Sequence, residues 1–208
     1  MTDLSIGGQV IRVVQAEVGV GAVPCPARGS VVNAASFDTR PLGQGAIASV
    51  FGEGLEGSSV IVNDTLSATV FASTAGQVNF ALPNGVQPGS ARLVLERNGV
   101  RSPELMFWVT EAAPAIFADG DGRAFAQFSD DRRIAVVYLT GIGTNRRLSW
   151  EARVGGRKAE ALFLGATPGF IGLGQANIGL PEGLVPGEWP LEITVSAALS
   201  PPVRLLVP

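Results

Sequence analysis

The block G-Q-x-N-x-x-L-P-x-G-x-x-P-G occurs twice in this chain, at residues 76–89 and again at residues 174–187. The offset of 98 (174 − 76) carries through Leu93/Leu191, Leu95/Ile193, Ser102/Ser200, Pro103/Pro201 and Val109/Val207. A whole module has therefore been duplicated, not a short motif. With 208 residues the chain accommodates two small domains of roughly 85 to 100 residues. The division that follows is an N-terminal strand and linker over 1–29, a first module over 30–112 and a second over 113–208. Duplication constrains architecture strongly and chemistry hardly at all, because function resides in sites built on a fold.

Both modules read as strands throughout. Runs of β-branched and alternating residues, bounded by Gly, Pro, Asn and Asp, predict strands over 46–51, 59–62, 67–72, 77–82, 90–96 and 104–110 in the first copy. The second copy repeats the order over 134–139, 149–154, 159–164, 175–180, 188–195 and 202–207. Six short strands at this spacing, with 27 Gly and 14 Pro to turn them and no helical periodicity, predict an all-β protein of two tandem immunoglobulin-like sandwiches.

The copies drift apart in steps, as loop insertions do when a core holds the strands in register. Gly54 matches Gly141 at an offset of 87, Val62 matches Val154 at 92, Phe71 matches Phe163 at 92, and Gln77 matches Gln175 at 98. The last step inserts six residues into the second module around Pro168-Gly169-Phe170-Ile171-Gly172-Leu173, where the first has only Ser73-Thr74-Ala75. That apolar loop reads either as a ligand- or partner-facing loop or as the cover of an open core end. Within the repeated block, Val78, Phe80 and Leu82 alternate onto one face, and Gln77, Asn79, Gln175 and Asn177 fall on the other. Those amides read as bracing for neighbouring groups or, less simply, as a polar binding row.

The first 29 residues have no counterpart in the repeat. Residues 9–20 (QVIRVVQAEVGV) read as one more strand, followed by an extended Pro24-Cys25-Pro26 connection. This strand either pairs with its own module or lies along a sheet edge of another subunit. Cys25 is the only cysteine, so no disulfide closes within one chain; it is an inert small side chain or an intermolecular link. No apolar run reaches the roughly 18 residues of a bilayer span, and the N-terminus does not read as a secretory signal.

Composition removes several chemistries. A net charge of −3 gives no clustered cationic face for nucleic acid, and Arg132-Arg133, Arg146-Arg147 and Arg157-Lys158 read as solvated strand ends. The chain has no histidine, which excludes Ser-His-Asp and Cys-His nucleophiles and histidine metal ligands. A two-carboxylate glycosidase needs a paired geometry that the sequence does not announce. Asp119-Gly120-Asp121-Gly122 is the nearest approach to a calcium loop and lacks the remaining ligands, so it reads as a turn. Gly52-Glu53-Gly54 lacks the strand-to-helix setting of a phosphate loop. Of the three tryptophans, Trp108 and Trp189 lie in predicted strands and read as core; together with Trp150 they could otherwise form a sugar-stacking platform.

Val31-Val32-Asn33-Ala34-Ala35-Ser36-Phe37, Ala46-Ile47-Ala48-Ser49-Val50-Phe51-Gly52, the G-Q-x-N-x-x-L-P block, Ala113-Pro114-Ala115-Ile116-Phe117 and Val136-Val137-Tyr138-Leu139-Thr140-Gly141-Ile142-Gly143 resemble the Solibacter-type C-terminal domain family of acidobacterial secreted proteins. The resemblance covers residues 30–208. It implies tandem immunoglobulin-like modules of the IPT/TIG type, an extracellular setting and a noncatalytic role. This chain carries an N-terminal strand where the family's larger upstream domain would stand.

The expectation is a noncatalytic extracellular structural subunit with no cofactor or metal. It would form a homo-oligomer or polymer by strand addition, with Val10, Val13, Val14, Val18 and Val20 at the subunit interface. The alternative is an adhesion or carbohydrate-binding module that meets a surface glycan through Trp150 and Phe170.

Overall fold

A computed structural model describes residues 23–145 and 147–208 with their side chains, and residues 2–6 and 9–13 as strands. The described residues contain no helix, hence none able to cross a membrane. The N-terminal strands are β1 (Thr2–Ile6) and β2 (Gln9–Val13). The first module contains β3 (Cys25–Pro26), β4 (Val32–Asn33), β5 (Leu42–Gly43), β6 (Ile47–Glu53), β7 (Ser59–Val62), β8 (Leu66–Ser67), β9 (Thr69–Ser73), β10 (Gln77–Ala81), β11 (Gly89–Arg97), β12 (Val100–Arg101) and β13 (Leu105–Thr110). The second contains β14 (Ala115–Ile116), β15 (Ala126–Phe128), β16 (Ile134–Thr140), β17 (Trp150–Val154), β18 (Arg157–Ala166), β19 (Gly174–Gly179), β20 (Gly187–Val195), β21 (Ala198–Leu199) and β22 (Val203–Val207).

Each module is a sandwich of the immunoglobulin type. In the first, β3-β6-β10-β9 faces β5-β13-β11-β7-β8, with β4 added to β6 and β12 to β11. Between the sheets lies one core that includes Val50, Val60, Phe80, Leu93, Leu95 and Phe107. The second module has its own core, including Ile116, Val137, Leu139, Ile178, Leu191 and Ile193. Period-2 alternation accounts for both: on β10, Val78 and Phe80 are fully buried while Gln77 and Asn79 face outward. The outward amides brace one another in both copies, Gln77 Nε2 donating to Asn79 Oδ1 at 2.7 Å and Gln175 Nε2 to Asn177 Oδ1 at 2.8 Å. A second repeated device is a buried hydroxyl. Ser102 Oγ accepts the Leu95 N–H, and Ser200 Oγ the Ile193 N–H, both at 3.0 Å, where each long strand leaves its partner.

The modules differ at one corner. In the second, the ten-residue β18 pairs with β17 in one sheet and β19 in the other, so the two sheets join in one path, β14-β16-β19-β18-β17-β20-β21, with β15 added to β16 and β22 to β20. In the first, the same stretch is split into β8 and β9. The ladders also shift one correspondence read from sequence. Asn79 faces Ala72 and Asn177 faces Phe163, an offset of 91 (163 − 72), so Phe163 corresponds to Ala72 and not to Phe71. The cause is the preceding turn: Asn63-Asp64-Thr65 separates β7 from β8, whereas only Gly155-Gly156 separates β17 from β18.

The N-terminal strand also departs from expectation. Gln9–Val13 pairs with Thr2–Ile6, a strand that the sequence reading did not include, and the two make a separate sheet; residues 14–20 of the expected strand lie outside the described residues. Gly7-Gly8 between them is the sequence signal for a two-residue hairpin connection. Val10 and Val13 fall in this hairpin; Val14, Val18 and Val20 lie outside the described residues. Cys25 is exposed on β3, paired with Glu53 of β6.

Two hairpin turns at matching positions yield a prediction. Asn98-Gly99 and Ser196-Ala197 both occupy left-handed backbone, at φ 51° and 76° and at φ 46° and 69°. The first pair suits a two-residue turn with both φ positive; alanine in the second does not. Ala197→Gly is expected to stabilise the second module by about 1 kcal/mol, read as a rise in its denaturation midpoint.

Candidate functional site

Where the two sandwiches meet end to end, their backbones touch. A β-carbon on Gly43 of the first module would fall 2.3 Å from the Gly141 carbonyl oxygen of the second, which accepts the Ala113 N–H of its own module at 2.8 Å. Beside this seam a cleft of about 810 Å³ opens between the modules. Such a volume lies within the usual range for small-ligand sites.

The first module contributes Gln44, from the turn after β5, and Asn84, from the turn of the repeated block. Gln44 is held by its Nε2 donating to the Val86 carbonyl at 2.9 Å. Asn84 is the variable position of L-P-x-G. Its counterpart Glu182 does not line the cleft; the Glu182 carbonyl accepts from the Arg157 guanidinium instead. The second module contributes Trp150 at the start of β17, Phe163 on β18, and Phe170 and Ile171 on the inserted loop. Trp150 is half-buried against the second core, whereas Phe163 is 45% and Phe170 64% exposed. The Phe163 ring lies over Gly165, where a β-carbon would come within 2.7 Å of Cζ. Asn145 Nδ2 donates to Glu111 Oε1 at 3.3 Å at the rim. None of the described lining residues is charged.

Trp150 and Phe170, the two ligand-loop candidates from the sequence, thus meet in one cleft, although they belong to different elements. Phe163 joins them without having been a sequence candidate; from sequence it figures only as the match to Phe71. Gln44 and Asn84 carried no signal, since each sits in an ordinary turn.

Two other sequence candidates resolve differently. Trp108 is not core: it is 63% exposed on the outer face of β13, beside Met106 and opposite Ser90, because alternation on that strand buries Leu105, Phe107 and Val109 instead. Trp189 packs partly against the second core, its Nε1 donating to the Val185 carbonyl. In the Asp119-Asp121 loop the carboxylates are turned to local partners. Asp119 Oδ1 accepts the N–H groups of Asp121 and Arg123, both at 2.9 Å, and Asp121 pairs with Arg123. Among the described residues no cluster of three or more His, Cys, Asp or Glu forms a cation site.

Arg123 and Arg204 both bind Glu188 on this face. The Arg123 hydrogen bond holds the Glu188 carboxyl below the ordinary glutamate range, and backbone N–H donors do the same for Asp119. A depressed carboxylate stabilises the fold above its unfolded-state value, and that contribution is lost as pH falls through the lowered one. The second module is therefore expected to lose stability on the acid side of the carboxylate range, and Glu188→Gln to flatten that limb in melts recorded against pH.

No family model matches the chain, and no curated protein matches it. Among solved structures the chain is similar to a surface glycan-binding protein (SGBP-B) of a Bacteroides ovatus mixed-linkage glucan utilization locus, at 17% identity and a TM-score of 0.40, over 82% of this chain and 44% of that one. It thus spans less than half the length of that protein. It is also similar to domains 5–6 of the S-layer protein SbsC, at 12% identity and a TM-score of 0.35, over 88% and 98% of the two chains. A third similarity is to the titin immunoglobulin tandem A164-A165, at 9% identity and a TM-score of 0.26, over 81% and 90%. The fold assignment is carried by the chain's own sheet order: two tandem immunoglobulin-like β-sandwiches.

Proposed function

We propose that this protein is a noncatalytic extracellular recognition module that binds an uncharged glycan in the cleft between its two sandwiches. The observation carrying this reading is the convergence of Trp150, Phe163 and Phe170 with the carboxamides of Gln44, Asn84 and Asn145 around one cleft with no charge in its described lining. A pyranose ring offers an apolar C–H face that packs on an aromatic ring and a rim of hydroxyls that exchange hydrogen bonds with amides. The described lining holds no carboxylate, so the acid and base of glycoside hydrolysis are missing from it. The extracellular setting rests on the family resemblance. Electrophoresis through gels containing soluble β-glucan, xylan or mannan tests the reading: retardation in at least one is expected, lost in Phe170→Ala. Free migration in all three would overturn it.

A second reading, assembly through the N-terminus, is favoured by a different observation. Among the described residues β9 ends its sheet, and β1 and β2 already form a ladder of their own. The donated element would be this hairpin, added to the β9 edge of a neighbouring subunit, in place of a single strand. Light scattering with and without residues 1–28 checks it: large assemblies that fall to folded monomers support it, and a monomer in both cases excludes it.

A further inference from the structure

The six-residue insertion that distinguishes the second module does more than present Phe170. Thr140, at the end of β16, is fully buried, and its hydroxyl is used in both directions. The N–H of Ile47, at the start of β6 in the first module, donates to Thr140 Oγ1 at 2.7 Å, and Oγ1 donates to the Gly172 carbonyl of the inserted loop at 2.7 Å. Gly172 itself lies so close to the first module that a β-carbon there would come within 2.8 Å of Ile47 Cγ1 and 3.1 Å of the Gly45 carbonyl oxygen. A single hydroxyl therefore ties three elements, one from each wall of the cleft and the loop that carries Phe170 and Ile171.

We infer that Thr140 is a positioning residue that fixes the angle between the modules and sets the Phe170 wall of the cleft. The part of this inference that concerns ligand rests on the glycan reading above; the part that concerns the angle does not. Valine at 140 keeps the shape and the β-branching of threonine, and leaves the Ile47 N–H and the Gly172 carbonyl without their partner. Serine keeps the hydroxyl. Separate cores leave each module able to hold its fold while the joint loosens.

The test uses the full chain with Cys25→Ser and spin labels on cysteines at the exposed positions Glu104 and Glu182, one in each module. Double electron–electron resonance reads the spread of inter-module distances, and gels containing β-glucan, xylan or mannan read binding. Thr140→Val is expected to broaden the distance distribution at least two-fold and to weaken retardation ten-fold or more, while Thr140→Ser retains both values. Gly172→Ala, which leaves β16 and both cores unchanged, is expected to broaden the distribution in the same way and covers the case in which Thr140→Val misfolds. A distribution as narrow as the parent's in both Thr140→Val and Gly172→Ala would overturn the inference. Broadening in a protein whose parent binds none of the three glycans would uphold Thr140 as the joint and remove the glycan reading alone.

Discussion

Gly141→Ala is expected to lower the stability of the second module by about 3 kcal/mol or more, measured by urea denaturation followed through tryptophan fluorescence. Two costs add. Gly141 sits at φ +71°, a left-handed conformation that a side chain disfavours by about 1–2 kcal/mol. A β-carbon there would also stand 2.2 Å from the Ala113 carbonyl oxygen, a contact that only backbone movement relieves. The duplication supplies the control. Gly54, the first module's counterpart, has φ +64° with nothing within 4 Å of a β-carbon, so Gly54→Ala carries the conformational cost alone. The difference between the two substitutions measures the Ala113–Gly141 contact at the base of the second module, the surface against which Gly43 of the first packs. Gly141→Ala no more costly than Gly54→Ala would mean that the Ala113–Gly141 contact yields without cost.

Phe170→Ala is expected to weaken glycan binding about ten-fold or more and to leave thermal stability near the parent's. Truncating one stacked aromatic removes on the order of 1.4 kcal/mol or more, and that amount is a factor of ten in affinity. Phe170 is the clean position because it is 64% exposed and belongs to neither core. Trp150→Ala is expected to abolish retardation, yet its ring also packs on the second core, so its loss destabilises the module as well. Phe163→Ala should fall between the two. Trp108→Ala provides the contrast: equally exposed and aromatic, it stands on the outer face of β13 and does not line the cleft, so binding should be unchanged. Calorimetry with the glycan that retards the parent most strongly reads the series. Equal loss in Trp108→Ala and Phe170→Ala would point to nonspecific aromatic adhesion.

Much of the architecture was legible because duplication doubles every signal. All twelve predicted strands are present, with bounds within about two residues; period-2 burial is written directly as alternating residue type on β10 and in the second half of β20, whereas β13 and β16 are apolar on both faces. What failed did so for physical reasons. Trp108 looked like core because bulky aromatics favour strands, but alternation sets which face a residue occupies, and Leu105, Phe107 and Val109 had already claimed the inner one. The Phe71/Phe163 match slipped by one residue because a turn shortened between strands of low sequence similarity. The strand β1 has no place in the sequence reading, which begins its strand at Gln9, although Gly7-Gly8 before it is a hairpin signal.

The site was half legible. Phe170 could be singled out as an aromatic on the inserted loop and Trp150 as one of three tryptophans, yet only the fold brings them to one cleft. Gln44 and Asn84 across from them belong to the other module and to turns whose sequences specify chain reversal. Thr140 was visible only as part of a resemblance. Its importance lies in a hydrogen bond across 93 residues, and such pairing leaves no local trace.

Chemical-shift mapping by NMR, titrating the full chain with a soluble neutral polysaccharide that retards it, tests the central claim most directly. Perturbations are expected to group on Gln44 and Asn84 of the first module together with Phe163, Phe170 and Ile171 of the second. Perturbations confined to the Trp108 face, or absent from the cleft at saturating glycan, would contradict it.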